Sequence, residues 1–515
     1  MNNYLLLFLA IVLLACSNQE DKAKQTPNII LFLVDDLGWQ DTSVPFWTEK
    51  TPLNQRYHTP NMERLAKEGM KFTQAYATPV CSPSRISLIT GMNAARHRVT
   101  NWTLRKDQTQ PMERNHASLN FPFWNVNGLG LEDTLSYSVK ATPLPQLLHN
   151  AGYYTVHAGK AHWGAIGTSA ENPLNIGFDI NIAGHAAGAP KSYLGKENFG
   201  NLPQFKGQPW PVPGLEEYYE EDIFLTEVLT RKALEAIQTP IKKEQAFFLN
   251  MSLYGVHTPI MADDRFVQTY YDLGLDSTEA KYASMIAAMD KSLGDIMDFL
   301  EKGNLAENTS ILFMSDNGGL SAVARGGERH THNAPLSSGK GSIREGGIRE
   351  PMMVKWPDKV LPNSTCDDYL IIEDFFATIL EIAGVAADVK QTVDGQSFVP
   401  LLNGESMPKR PLFWHYPNAW GPTGPGIGAY SAIRLEDWKL IYYHDSELFE
   451  LFNINKDIGE TNNLAAIEKD HLLRLADQLS DYLIAVDAQM PSHKETGEQV
   501  AWPKDAAIHF LATKN

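Results

Sequence analysis

The sequence predicts an α/β protein: a large N-terminal domain with a central, mostly parallel sheet covered by helices on both faces, then a smaller C-terminal α+β domain with an antiparallel sheet. Three observations predict it. Short continuous apolar runs of strand length read as fully buried strands, and between them lie stretches whose apolar residues recur at spacings of three and four, as in amphipathic helices. Beyond Leu402-Asn403-Gly404 the pattern changes to alternating segments. Strands that alternate with helices indicate α/β architecture, and the alternating segments a separate, smaller sheet.

Residues 4–15 form an uninterrupted apolar stretch of 12 residues, too short to cross a bilayer as a helix but the length of a signal-peptide core. It ends Leu13-Leu14-Ala15-Cys16, which resembles the lipobox of bacterial lipoproteins, where the cysteine is lipidated and becomes the new N-terminus. The resemblance implies a signal peptide over 1–15, a polar tether over 16–26, and a protein exported and anchored by lipid at Cys16 to the bacterial outer membrane, facing the periplasm or the cell surface. The main domain is then 27–404 and the C-terminal domain 405–515.

Within the main domain, what matters is how each apolar run ends. Asn28 to Val34 runs into Asp35 and Asp36; 153–158 into Gly159, Lys160 and His162; 246–252 leads to His257; 310–315 to Asp316 and Asn317. In open α/β sheets the ligand site lies at this carboxyl edge. Helices are predicted from Pro60, with Thr59 as N-cap and Gly69 as stop, over 223–237, and through Tyr282, Met285, Ile286, Met289, Leu293, Ile296, Met297 and Leu300 to Gly303. Two long loops, 102–142 and 166–215, fall near the same edge and are candidates for substrate recognition. In the C-terminal domain, 431–435 and 438–443 read as strands and 467–486 as a helix.

The 515 residues carry 44 Lys+Arg against 61 Asp+Glu, a formal charge of −17. An acidic balance argues against nucleic acid as a partner, and any anionic substrate must find a local positive site. The three cysteines, Cys16, Cys81 and Cys366, cannot make a disulfide framework; with Cys16 used elsewhere, Cys81 and Cys366 are the one possible pair.

Cys81-Ser82-Pro83-Ser84-Arg85 precedes Leu88, Thr90 and Gly91. Pro83 suits the first turn of a helix, so Cys81 is expected at a helix N-terminus, where free amides and the helix dipole favour an anion, with Arg85 one turn on. Alone, this fits either a low-pKa thiolate nucleophile or a small buried residue beside a structural arginine.

From about Pro27 to about Ala465 the sequence resembles the type I sulfatases of the alkaline phosphatase superfamily. CSPSR with LITG behind it carries the resemblance. So do Gly152-Tyr153-Tyr154-Thr155 with Gly159-Lys160-Ala161-His162, and Gly339-Lys340-Gly341-Ser342 with Glu345-Gly346-Gly347-Ile348-Arg349-Glu350-Pro351, together with Asp35-Asp36 and Asp316-Asn317-Gly318. Ala161 departs from the family, where an aromatic residue commonly precedes the histidine.

The resemblance implies an alkaline phosphatase-like fold and a sulfatase in which Cys81 is oxidised to formylglycine, whose hydrated aldehyde attacks the sulfate ester. It implies one calcium ion held by Asp35, Asp36, Asp316, Asn317 and residue 81, a choice that hard oxygen ligands also favour over zinc. Arg85, Lys160 and Lys340 are implied as the cations around the sulfuryl group, His257 as general acid together with Lys340, and His162 as the residue that binds sulfate and helps regenerate the aldehyde. Three fixed cations and a divalent ion against three carboxylates leave a local charge of about +2. Partners are a sulfated carbohydrate, of the ulvan, carrageenan-type galactan or glycosaminoglycan class, and a formylglycine-generating or anaerobic sulfatase-maturating enzyme. His185, His330 and His332 are either pocket-lining or surface residues, and Trp163, Trp210, Tyr218 and Tyr219 either stack on sugars or pack. The competing readings are a phosphonate or phosphodiester hydrolase of the same superfamily, an unmodified thiolate enzyme, and a non-catalytic glycan-binding lipoprotein.

Overall fold

Nine strands build the principal sheet of the computed structural model, which describes residues 26–111, 113 and 116–514; the expected signal peptide and lipidated Cys16 lie outside the described residues. In chain order the strands of the molecule are β1 (Asn28–Val34), β2 (Met70–Tyr76), β3 (Leu119–Asn120), β4 (Tyr154–Gly159), β5 (Ile180–Ile182), β6 (Phe247–Ser252), β7 (Thr309–Ser315), β8 (Arg349–Lys355), β9 (Ser364–Cys366), β10 (Leu370–Ile371), β11 (Leu412–Tyr416), β12 (Tyr430–Leu435), β13 (Trp438–Tyr443), β14 (Phe449–Asn453) and β15 (Ser492–His493). The principal sheet runs β10-β2-β8-β7-β1-β6-β4-β5, with β9 paired to β2. Its pairs are parallel except those of β8, which runs against both β2 and β7. β1 is central, in register with β6 on one side and β7 on the other, so Val34 lies opposite Ser315 and Leu33 opposite Ser252. That register sets the three strand ends side by side.

The longer helices are α1 (Pro60–Glu68), α2 (Cys81–Thr90), α3 (Leu144–Asn150), α4 (Leu225–Lys242), α5 (Ser277–Lys302), α6 (Asp374–Ala383), α7 (Lys469–Ala485) and α8 (Pro503–Lys514). Of these, α1 to α6 cover the two faces of the principal sheet, and α7 and α8 belong to the C-terminal domain. Ile30, Phe32 and Val34 of β1 enter a core with α4 and α5 residues such as Val228, Met285 and Met289, while Ile29, Leu31 and Leu33 enter another with Ile86 and Leu88 of α2 and Phe375 of α6. Side chains alternate along a strand, so a run buried on both faces must be apolar at every position. Burying each of these six side chains is worth about 1.5–3 kcal/mol, which makes β1 a rigid base for the polar residues at its carboxyl end.

β11 to β14 form an antiparallel sheet in sequence order. One face packs on α7 through Leu440, Tyr442, Leu475 and Leu479; the other, with Trp414, Tyr416, Tyr430 and Phe452, packs on Tyr76, Val80 and Ile343 of the main domain. The C-terminal sheet is thus pressed against the residue that precedes Cys81. Among the described residues no helix is long and apolar enough to cross a membrane.

Helix α2 begins at Cys81 and carries Pro83 in its first turn, as expected; proline is tolerated there because the first four amides of a helix have no intrahelical acceptor. Two local expectations need correction. Thr59 does not cap α1 with its side chain. The amides of Asn61 and Met62 donate instead to the Asp290 carboxylate of α5, at 3.1 and 2.8 Å, while Thr59 bonds to Thr42 and Ser43. α4 runs to Lys242, past the expected end at 237, and carries Pro240 in its last turn.

Candidate active site

Each strand end delivers the residues its sequence promised. Asp35 and Asp36 follow β1, Asp316 and Asn317 follow β7, Lys160 and His162 follow β4, and His257 follows β6; all but His257 are essentially fully buried. Cys81 and Arg85 come from the first turns of α2, and Lys340 from the loop between β7 and β8. Asp36 and His162 have φ of 60° and 61°, a left-handed conformation uncommon outside glycine that the packing around a site can hold.

Three cations meet three carboxylates. Lys160 Nζ lies 2.6 Å from Asp35 Oδ2, Lys340 Nζ 2.6 Å from Asp36 Oδ1, and Arg85 Nε 2.7 Å from Asp316 Oδ2. Arg85 Nη1 also donates to the Lys160 carbonyl and to Ser252 Oγ, at 2.9 and 2.7 Å, which ties α2 to the ends of β4 and β6. Asn317 Nδ2 donates to Asp36 Oδ1 at 2.8 Å, fixing its amide so that the oxygen turns the other way.

Charge and burial compete at every group. Burial pushes the Asp35 carboxyl well above the usual carboxylate range, against the pull of Lys160. At Asp36 burial acts in the same sense, but the Lys340 ammonium, with His257 and Lys160, holds the carboxyl below its ordinary value. Lys340 is raised in turn, burial being outweighed by Asp36, so it rests as an ammonium. Burial pushes the Cys81 thiol up despite Lys160 and Lys340; a resting low-pKa thiolate therefore finds no support, although the cysteine does sit at a helix N-terminus.

Both site histidines rest neutral. Burial, then Lys160, push His162 well below its ordinary value, and burial, then Lys340, push His257 down to about 3. His162 Nε2 lies 2.8 Å from the Thr103 carbonyl, and His257 Nδ1 2.8 Å from the Thr258 carbonyl. A carbonyl accepts only, so these nitrogens carry the protons, leaving lone pairs at His162 Nδ1 and His257 Nε2.

The donor set fits a hard divalent cation. Asp35 Oδ1, Asp36 Oδ2 and Asn317 Oδ1 are buried without hydrogen-bond partners. Single ligand atoms of Asp35, Asp36 and His257 fall within 4.8 Å of one another. Buried oxygens left unbonded are costly, and carboxylate and amide oxygens are what calcium or magnesium takes. Arg85 Nη2, a buried donor without a partner, remains for an anion.

The other candidates separate. His185 adjoins the site, its carbonyl accepting from the His162 amide at 3.3 Å. His330 lies beside Ser338, 3.3 Å from its hydroxyl. His332 is buried and structural, between the Ser321 hydroxyl and the Gly326 carbonyl. Trp163 is a core residue: it is 2% exposed, stacks on Phe178 and tilts against His157, so it offers no face to a sugar. Tyr218 lies under Lys232, Tyr219 tilts against Phe199, and both belong to the packing around α4. Trp210 is half-buried, its carbonyl accepting from the Lys191 amide. Cys81 and Cys366 are both free thiols.

Some functional groups carry no sequence signal. Ser252 ends β6 and holds Arg85, and Thr103 orients His162 through its carbonyl, which no side-chain pattern announces. Arg325 is fully buried between Asp41 and Glu279 and fastens the loop that runs from Asn317 to Lys340. Trp420, from the loop between β11 and β12, has Lys340 Nζ over its ring, 5.7 Å from the centroid. A lone arginine or tryptophan in a Gly-rich loop does not stand out in the chain.

Comparison with known proteins agrees with this geometry. A family model described as "Sulfatase" matches residues 27–385, and one described as "N-sulphoglucosamine sulphohydrolase, C-terminal" matches 339–489. The chain is 30% identical over 556 residues to a "Sulfatase" of Formosa agariphila, with 96% of each chain covered. It is 32% identical over 409 residues to the N-acetylgalactosamine-6-sulfatase of Homo sapiens, covering 76% of this chain and 69% of that one. Its structure is similar to that of Ps i-CgsB, with a TM-score of 0.70 and 25% identity over 95% of this chain and 98% of the other, a protein also solved in complex with k-i-k-neocarrahexaose. The chain belongs to the sulfatase family, and it is a sulfuric ester hydrolase.

Proposed function

We propose that the protein removes sulfate from a sulfated poly- or oligosaccharide of the carrageenan, ulvan or glycosaminoglycan class, using calcium and a formylglycine made from Cys81. The observation that carries this reading is the set of partnerless buried oxygens on Asp35, Asp36 and Asn317, beside three cations and the helix that begins at Cys81. The relatives named for N-acetylgalactosamine-6-sulfate and the neighbour bound to a carrageenan oligosaccharide support a glycan. Maturation requires a formylglycine-generating or anaerobic sulfatase-maturating partner, and the sequence through Cys16 supports export and anchoring by lipid.

The residues divide the work. Asp35, Asp36, Asp316 and Asn317 would hold the ion with residue 81; calcium and the hydrated aldehyde together would supply a Lewis acid and an oxygen nucleophile. Arg85, Lys160 and Lys340 neutralise the sulfuryl oxygens, and burial makes each charge count for more than it would in water. Lys340 rests protonated and so has a proton to give the departing sugar oxygen; His257, neutral with its lone pair at Nε2, passes a proton only after gaining one. His162 Nδ1 can accept a proton from a hydroxyl at position 81, which suits it to the step that frees sulfate.

The test is sulfate release, measured by ion chromatography, from position-defined sulfated oligosaccharides, run in parallel with phosphodiester and phosphonate substrates. Turnover of a glycan sulfate that is abolished by Cys81→Ala is the expected result. Faster cleavage of the phosphorus esters would replace the reading with a phosphodiesterase or phosphonate hydrolase, and binding without turnover by the matured protein with a glycan-binding lipoprotein.

A further inference from the structure

The loop over 417–428 reaches the site from the C-terminal sheet. It is anchored at its base by Asn418, fully buried, whose Nδ2 donates to Thr100 Oγ1 at 2.9 Å. Near its far end Ser342 Oγ donates to the Pro425 carbonyl at 2.8 Å, and the Ile343 amide to the Gly426 carbonyl at 2.9 Å. Between these anchors Trp420 is wedged against Gly341, the residue after Lys340. Gly341 has φ +85°, and a β-carbon there would lie 2.4 Å from Trp420 Cδ1. Only glycine both adopts that conformation and lets the indole approach. The Gly341 amide donates to the Pro79 carbonyl at 2.8 Å, which draws the same spot toward Cys81.

Trp420 is therefore held beside Lys340 and Gly341, and Gly341 is tied to the Pro79 carbonyl two residues before Cys81. Trp420 remains only half-buried, and among the described residues no aromatic ring stacks on it. A half-exposed indole held rigid next to an ammonium that serves the leaving oxygen matches what a pyranose needs: a flat apolar face for its C–H bonds, with its sulfated carbon turned to the cations.

We propose that Trp420 is a specificity-determining residue, the platform on which the sugar ring bearing the scissile sulfate stacks. The proposal rests on the glycan reading above. It makes the C-terminal domain a part of the substrate site: the main domain recognises sulfate, and a loop of the smaller domain recognises the sugar.

The experiment uses matured full-length protein and a sulfated oligosaccharide that the wild type turns over. Trp420→Ala should raise KM about tenfold, the loss of one good stacking contact, and Trp420→Phe should recover most of it. The inhibition constant for inorganic sulfate, which touches only the cationic pocket, should stay within about twofold of wild type in both variants. Titration of the same oligosaccharide into a Cys81→Ala background should show the same weakening as a direct loss of affinity. An unchanged KM and affinity in Trp420→Ala would overturn the platform while leaving the glycan reading intact. Weaker sulfate inhibition in step with KM would also overturn it, since Trp420 would then act on the sulfate pocket through Lys340. A wild type that releases sulfate from small esters but from no glycan would remove the glycan reading and the platform with it.

Discussion

The Arg85–Asp316 pair offers a quantitative test of how the site is held together. Arg85 and Asp316 side chains are 1% and 0% exposed, and Nε lies 2.7 Å from Oδ2. With charge centres about 4 Å apart and an effective dielectric of about 20, their attraction is about 4 kcal/mol. Arg85→Met strands the carboxylate beside Asp35, and Asp316→Asn strands the guanidinium; breaking a buried pair from one side costs about 3–5 kcal/mol. Arg85→Met/Asp316→Asn removes both charges, so the double variant should lose less than the sum of the two by about 2–3 kcal/mol. The assay is urea unfolding followed by tryptophan fluorescence, in chelator, so that metal binding does not enter the balance. Additivity of the two single effects to within about 0.5 kcal/mol would refute direct, water-free contact between these charges.

Other consequences are equally open to measurement. Calcium at about 100 times its Kd should stabilise the protein by about 2.7 kcal/mol, seen as a raised Tm; Asp36→Asn should abolish the shift, and a wild-type Tm indifferent to calcium would contradict the assigned ligands. Lys340→Ala should lower kcat about 100-fold or more in single-turnover assays of sulfate release, and a change in KM alone would count against its role at the leaving oxygen. Glu279 is held down from 4.5 to about 2, burial being outweighed by Arg325 with help from Tyr57 and Arg56. A depressed carboxylate contributes its stability above the unfolded pKa and loses it as pH falls through the folded one, so about 3 kcal/mol should disappear between about pH 4.5 and 2. Glu279→Gln should flatten that part of the stability profile, and an unaltered acid limb would show that the Arg325 cluster does not anchor the loop leading to Lys340.

The principal strands and the first ring of site residues were legible because one physical pattern marks both. A strand such as β1 buried on two faces has to be continuously apolar, and the abrupt arrival of Asp35-Asp36 marks where it leaves the sheet. The same logic exposed Asp316-Asn317, Lys160 and His257, and the resemblance in the CSPSR segment supplied Arg85. What sequence could not show was set by tertiary contact. Thr59 looks like an N-cap, but Asp290, far along the chain, takes the amides of α1. Trp163 reads equally well as a sugar platform or as packing, and the fold decides for packing, with its ring stacked on Phe178 in the core. Trp420 and Lys340 are separated in the chain by β8 to β11, by α6 and by a domain boundary, and the packing of the C-terminal sheet on Val80 and Ile343 brings them together. The exclusive pairing of each site cation with one carboxylate was likewise invisible, although the total charge was countable.

The central claim is that residue 81 is an oxidised cysteine that does the chemistry. Mass spectrometry of the peptide spanning Cys81, from protein made in its native host or with a maturation partner, tests it most directly. The expected result is the mass of an aldehyde in place of the thiol, trapped by a carbonyl reagent, in proportion to sulfatase activity across preparations. An unmodified thiol in fully active protein would contradict it.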